Sequence, residues 1–459
     1  MTSESPTSLR RAPQPRAFLP RALTLLLLLG TVSTSLWGCG DDPTSPKAKD
    51  NEEEPTVWTE WLLANGNPLS SLTSDEFSDL QFLKPLLVDR SLVQLGESGH
   101  GVAQFNQVKV RLIKFLHQEM GFDVIAFESG IYECFQANDG ADSLTATGFM
   151  YQCPFGVWHT WEVVPLFEYI KSTQETDRPL LLAGFDIQPS SYVGGQNRAA
   201  FIESVVDAVD SEYAVQVRAL EDEFKARMEE PESWTVTLAA HADSLRNRYE
   251  PVLEFFDTRE EELLLAFGSE PVRPLIARQT IWSTLQRIEM ARVYGTASCS
   301  GTEVRDQGMA TNLSHLAERV YPDKKIMAWA HNYHIRHLNQ TIPELGGCTT
   351  MGRHVASRHR GELYTVGLYM YQGGAAMNNR DLYTISPAPP ESLEGILHQA
   401  GREYFFLDFL HLDSSDGPPW IFGSTKARSW GTTSYTMAPY QQYNAVLYIE
   451  TVNAPNYTY

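Results

Sequence analysis

Four apolar, β-rich runs set far apart along the chain constrain its fold more than any other feature: Leu92–Leu95, Val124–Phe127, Leu180–Phe185 and Ile326–Ala330. Strands this continuously apolar suit a parallel sheet covered on both faces, where neither side of a strand meets water. Between the first two runs, Phe105, Val108, Leu112, Phe115 and Leu116 recur at three- to four-residue spacing, and Gly121 stands where the pattern ends. That period and stop signal predict a helix, making a strand–helix–strand unit. A second helix is predicted over Val163–Lys171, ahead of the third run. The expected class is α/β, with a central, mostly parallel sheet flanked by helices.

Residues 197–295 read differently. "FIESVVDAVD", "VQVRALEDEFKARM", "LAAHADSLRNRYEPVLEFF" and "TIWSTLQRIEMARVYG" are long, charged and amphipathic, with no strand-like alternation. They predict an all-helical insertion, expected to cap a site and shape its pocket. "DQGMATNLSHLAERV" adds a further helix before the fourth run, and "LYTVGLYM", "YFFLDF" and "AVLYIETV" predict three late strands among loops rich in Pro, Gly and aromatic residues.

The N-terminus has a different composition. Arg10, Arg11, Arg16 and Arg21 precede the apolar block Ala22–Leu29, and small residues lead to Leu36-Trp37-Gly38-Cys39. This is the layout of a secretory signal, with Cys39 placed as the lipidated residue of a bacterial lipoprotein. Residues 1–38 are read as the signal, 39–56 as an acidic, proline-containing tether, and 57–459 as the folded body. The expected location is the bacterial cell envelope, lipid-anchored at the outer membrane or otherwise exported. With 36 Lys+Arg against 57 Asp+Glu the chain carries a net charge of −21. Such a surface repels nucleic acid and anionic lipid, so membrane contact is expected through the anchor only. The other cysteines, Cys134, Cys153, Cys299 and Cys348, are even in number in an exported chain and allow three disulfide connectivities. Pairing of sequence neighbours is the expectation, buried thiols the alternative. None has the spacing of a cysteine metal site.

The chemistry collects after the apolar runs. Glu97 and His100 follow the first within "QLGESGHG", Glu128 the second, Asp186 the third, and His331 and His334 the fourth. Acids and imidazoles are costly to bury unpaired, yet they recur at the C-terminal end of every predicted strand. Ligands bind in the crevice outside those strand ends in an open α/β sheet. Gly96 and Gly99 are expected to let the backbone turn sharply so that Glu97 and His100 face that rim. The chain has no GxSxG segment, which disfavours a nucleophile-elbow serine. Water is then the expected nucleophile and histidine the base suited to ambient pH. The competing arrangement is a divalent metal, zinc or manganese, held by His331, His334 and Glu128.

"LGESGHG", "GFDVIAFESG", "WHTWEVVPLFEYI", "AGFDIQ", "RDQGMATNLSHLAE", "KIMAWAHNYHIRH" and "MGRHVASRHRGELYTVG", in that order, resemble the erythromycin esterase family. The resemblance runs from about residue 85 to the end, where "YNAVLYIETVNAP" also fits. It implies a hydrolase of a small-molecule ester or lactone, a macrolide-like lactone among them, with antibiotic resistance as the associated role. It implies no cofactor. The histidine of the GExxH segment, His100, is implied as general base, with Glu97 and Glu128 as companion acids and His331 in the catalytic group. His334, Lys109 and Asp186 are expected to meet substrate; Lys109 stands where characterised members carry an arginine on the first helix. Trp158, Trp161, Trp420 and Tyr440 are the aromatic loop residues expected to tune specificity. The rival readings are a metal-dependent hydrolase or peptidase, and a non-catalytic lipoprotein holding a small molecule or haem in the same cleft.

Overall fold

The computed structural model describes residues 58–229, 233–415 and 417–459. The signal, Cys39 and the tether lie outside the described residues. Among those described, no helix is long and apolar enough to cross a membrane.

The described residues form eleven strands: β1 (Asn67–Pro68), β2 (Leu92–Leu95), β3 (Phe122–Gly130), β4 (Leu181–Asp186), β5 (Lys325–Trp329), β6 (Leu363–Ala376), β7 (Leu382–Ile385), β8 (Tyr404–Asp408), β9 (Thr425–Ser429), β10 (Thr433–Met437) and β11 (Ala445–Val452). Nine form one sheet in the order β1-β8-β11-β6-β2-β5-β3-β4, with β7 pairing β6. The run β11-β6-β2-β5-β3-β4 is parallel throughout, and β8 adds antiparallel to β11. The sheet is therefore mostly parallel and flanked by helices, as its apolar strands imply. The late apolar segments become β6, β8 and β11, and β9 and β10 make a separate hairpin.

Alternate residues of each central strand enter different cores, which is why the strands read as unbroken apolar runs. Val124, Ala126, Ile326 and Ala328 face one core, shared with Val205, Leu245 and Ile281 of the helical segment. Ile125, Phe127, Met327 and Trp329 face the other, shared with Phe105, Leu112 and Phe167. The helix Ala103–Met120 ends as its pattern predicts, on Gly121 at φ 75°, a left-handed cap for which glycine carries no Cβ penalty. The predicted helical insertion comprises Arg198–Asp207, Ser211–Met228, Trp234–Thr258, Glu260–Phe267 and Val272–Val293.

Register sets the rim. Leu95 pairs with Trp329, Trp329 with Phe127, and Phe127 with Gly184, so one row of backbone crosses four strands. Glu97, His331, Glu128 and Asp186 all follow that row within two residues. Beyond Phe127 the β3–β4 register shifts, an irregularity that re-aims side chains at a strand end. The four cysteines form Cys134–Cys153 and Cys299–Cys348.

Candidate functional site

Glu97 is the buried hub of the first half of the site. One carboxylate oxygen meets His100 Nδ1 at 2.6 Å and accepts from Trp158 Nε1 at 2.9 Å. The other accepts from Lys109 Nζ. The Lys109 ammonium also sits over the Trp329 ring, 4.0 Å from its centroid. Burial pulls Lys109 down to about 8, against the opposing pull of Glu97. With Nδ1 donating to Glu97, His100 presents Nε2 as an acceptor, and no protein donor occupies it among the described residues.

The glycines of this turn serve close approach rather than unusual dihedrals. None of Gly96, Gly99 and Gly101 has positive φ. A Cβ on Gly96 would lie 2.0 Å from Asn332 Oδ1, and one on Gly101 would lie 2.0 Å from the Ala376 carbonyl oxygen. The missing side chains here let the segment after β5 and the end of β6 pack against the turn that carries Glu97 and His100. Glycine at these positions therefore answers to close approach, not to a left-handed dihedral.

The second half centres on Arg305, on the helix Ser300–His315. Its Nη2 donates to Glu128 at 2.8 Å and to Asp186 at 2.5 Å, and Nε reaches Asp186 at 3.1 Å. Glu128 also accepts from the His331 main-chain N–H at 2.9 Å. Although burial opposes its charge, the neighbouring His334, Arg305 and His100 hold its carboxyl at about 2. His334 bonds Asp306 through Nδ1 at 2.7 Å; burial lowers it, but Asp306 and Glu128 prevail and raise it.

His331 caps its own short helix, accepting the Tyr333 N–H on Nδ1 at 3.1 Å. That bond fixes the neutral tautomer with the proton on Nε2, and burial beside His100 and His334 pushes this imidazole well below its usual value. Nε2 has no well-aligned acceptor, although the Ser98 carbonyl is close enough to favour a proton there. The ring lies 4.9 Å from His100 and stacks on Trp430. Trp430 holds φ 57°, strained for a non-glycine residue, fixed by its N–H to the Ser98 carbonyl at 2.6 Å and by Tyr383 Oη to its own carbonyl at 2.9 Å.

Together these groups line a cavity of about 620 Å³ that takes in His100, Glu128, Arg305, His331, His334 and Trp430. Its remaining walls come from Phe155–Trp158, Gln188, Tyr333, Asn378, Arg380 and Ser429. None of its lining residues belongs to 197–295, so the helical segment covers a sheet face instead of capping this site. The loop carrying Phe155–Trp158, held by Cys134–Cys153, and the turns after β6 and β9 take that place.

Of the predicted residues, His100, Glu128, His331 and His334 reach the cavity. Glu97, Lys109 and Asp186 stand behind its wall, each fully buried and acting through a neighbour, so Lys109 and Asp186 are not placed to touch substrate. Trp158 lines the cavity. Trp161 is exposed elsewhere, Trp420 packs on Trp61, and Tyr440 packs on Phe422. Sequence alone assigns no role to Arg305, Asp306 or Trp430; Arg305 and Asp306 open the "RDQGMATNLSHLAE" block but stand in the second turn of their helix, and that adjacent arginine–aspartate pair is the available signal. Among the described residues, no three His, Cys, Asp or Glu side chains converge to hold a metal ion. The expected set is already engaged: Glu128 by Arg305 and the His331 N–H, His331 Nδ1 by Tyr333, and His334 Nδ1 by Asp306.

Residues 117–452 match the family model described as erythromycin esterase. The Bacillus subtilis (strain 168) protein YbfO, named as a hydrolase, is 33% identical over 428 residues, covering 88% of this chain and 93% of that protein. Erythromycin esterase type I of Escherichia coli is 26% identical over 310 residues, 62% of this chain and 71% of that enzyme. Among solved structures, a Bacillus cereus protein superposes with a TM-score of 0.75 at 17% identity, over 87% of this chain and 98% of its own. An erythromycin esterase EreC mutant in its open conformation gives a TM-score of 0.65 at 18% identity, over 85% and 98%. At those identities the structural likeness speaks for the fold alone.

Proposed function

The chain belongs to the erythromycin esterase family and is a hydrolase, and from that premise we propose that it cleaves a carboxylic ester or lactone of a small molecule with water activated by His100. The observation that carries this reading is the Glu97–His100 pair: a buried carboxylate fixes Nδ1 and leaves Nε2 open on the wall of the 620 Å³ cavity. A passive binding pocket has no need of a base oriented in this way.

In the proposed step, a water between Nε2 and the scissile carbonyl gives its proton to Nε2 as its oxygen bonds to the carbonyl carbon. The carbonyl π pair moves onto oxygen. The His331 Nε2–H, a buried donor without a well-aligned acceptor, and the Arg305 guanidinium are the candidates to stabilise that oxyanion. Collapse breaks the C–O bond, and the leaving oxygen recovers the proton from Nε2, giving acid and alcohol. Glu97 stabilises the imidazolium formed on the way; Lys109 and Trp158 hold Glu97 in place.

Hydrolysis of a panel of aryl esters, alkyl esters and macrolactones in ¹⁸O-labelled water tests this. One labelled oxygen is expected in the acid product, with turnover retained after prolonged chelation. Turnover lost to chelator and restored by zinc or manganese would replace His-activated water with a metal mechanism.

We also propose, from the signal layout and Cys39, that the chain is exported and anchored in the cell envelope by lipid; two disulfides agree with an oxidising compartment. Cys39→Ser should move the protein from the detergent to the aqueous phase on partitioning, and identical partitioning of both forms would refute the anchor.

A further inference from the structure

Asp186, which holds Arg305 at the catalytic rim, also lines the neck of a second hollow, which shares the Gln188 wall with the first cavity. A chamber of about 210 Å³ lies among the turn after β4 and the helices Arg198–Asp207, Ser211–Met228 and Val272–Val293. It adjoins a neck of about 20 Å³ that reaches Asp186 and Gln188, and Arg287, Arg198 and Glu133 line both.

The charges in this hollow do not balance by contact. Arg198 is engaged: its guanidinium pairs with Glu221, Nη2 donating to that carboxylate at 3.2 Å and to Thr284 at 2.6 Å. Glu221 is spent as well, since it also accepts the Tyr249 hydroxyl at 2.9 Å. Arg287 is only 8% exposed, yet among the described residues its guanidinium makes no ion pair and its Nε finds no hydrogen-bond partner. One face is covered by the Trp234 ring at 4.8 Å. Glu133, 4% exposed, is left with its own main-chain N–H, and burial pushes its carboxyl up to about 7. On the neck, the buried Tyr132 hydroxyl also lacks a partner. An unpaired buried guanidinium is costly to keep. Phe224, Ala199, Met228 and Pro189 give the chamber an apolar side, while Ser191, Gln196, Lys225 and Glu229 complete its wall.

We propose that this hollow binds a small monocarboxylate with an apolar tail, its carboxylate on Arg287 and its tail against Phe224, Ala199 and Met228. The planar guanidinium fork matches a carboxylate. Glu133, Glu221 and Asp186 around Arg287 disfavour a more highly charged ligand such as phosphate, and the wall's Lys225 is held by the Gln196 amide at 2.9 Å. Protonated Glu133 and the Tyr132 hydroxyl supply further donors. A chamber of this size holds one ring or a short chain, and not a macrolactone.

Calorimetry on the purified protein with acetate, butyrate and phenylacetate, and with phenylacetamide as the neutral counterpart, tests the site. Phenylacetate is expected to bind once per chain, and phenylacetamide at least about tenfold more weakly. Arg287→Gln should cost about as much. Ala199→Leu, which fills the chamber and leaves its charges in place, should also abolish binding. His100→Gln should bind phenylacetate like the wild type, which separates this site from the catalytic cavity. Binding that survives both Arg287→Gln and Ala199→Leu, binding lost in His100→Gln, or no saturable binding by any of the three carboxylates would each overturn the proposal.

Discussion

At the rim, Glu97 touches Lys109 and His100, Glu128 and Asp186 share Arg305, and His334 rests on Asp306, so each of these buried charges meets its opposite directly. In the hollow lined by the helical segment, Arg198 pairs with Glu221, whereas among the described residues neither Arg287 nor Glu133 makes an ion pair. Both clusters lie in low-dielectric surroundings, and their difference is one of preorganisation. Partners in contact hold side chains in a single geometry and keep acids ionised, which suits a site that must act without rearranging. Unpartnered groups favour their neutral forms and leave contacts open for a ligand.

The largest effect should come from breaking a matched pair. Lys109→Met leaves the Glu97 carboxylate buried without its cation and should destabilise the fold by about 3–5 kcal/mol in urea titrations. A loss below 1 kcal/mol would mean that the rim is not held together by its ion pairs.

The pH dependence of stability gives the next effect, and the two clusters should tilt it in opposite directions. Glu128, held at about 2 against an ordinary 4.5, contributes stability that is present above 4.5 and lost as pH falls toward 2. Glu133, raised from 4.5 to about 7, contributes stability that is full below 4.5 and lost as pH rises through 7. Glu394, also raised to about 7, has the same slope and remains in both variants. Glu128→Gln should flatten the acid limb and Glu133→Gln the neutral limb, each by roughly 1–3 kcal/mol in chemical denaturation followed across pH. Equal responses of both limbs to either substitution would erase the contrast.

The smallest effect is expected at Arg287. Arg287→Met removes a charge that no carboxylate contacts among the described residues, so stability should change by less than about 1 kcal/mol or rise. A loss comparable to that of Lys109→Met would show that Arg287 is tied down after all.

The strands and the rim were legible because their signal is local. Strands buried on both faces must be apolar along their whole length, so β2 to β5 stand out, and the ionisable residues that follow them are conspicuous by contrast. Strand order was not legible: β5 lies between β2 and β3, a placement made by long-range pairing that no short window contains. Arg305 looks like any arginine of an amphipathic helix until the fold brings Glu128 and Asp186 to it. Trp430 becomes a wall residue only through its strained turn and the space left by Gly99, where a Cβ would meet its ring at 3.1 Å. The covering role expected of residues 197–295 failed for a related reason. Amphipathic helices announce that they cover an apolar surface, and here that surface is the sheet itself.

The central claim is that His100 is the base. Its most direct test is kcat of His100→Gln on whichever ester the wild type turns over fastest, with His117→Gln as control. The His117 ring is engaged by Tyr169 Oη at 2.6 Å and the Arg178 carbonyl at 3.0 Å, away from the cavity. His100→Gln should lower kcat by about 10²–10⁴-fold with unfolding behaviour close to wild type, and His117→Gln should leave kcat nearly unchanged. Wild-type turnover in His100→Gln would contradict the account.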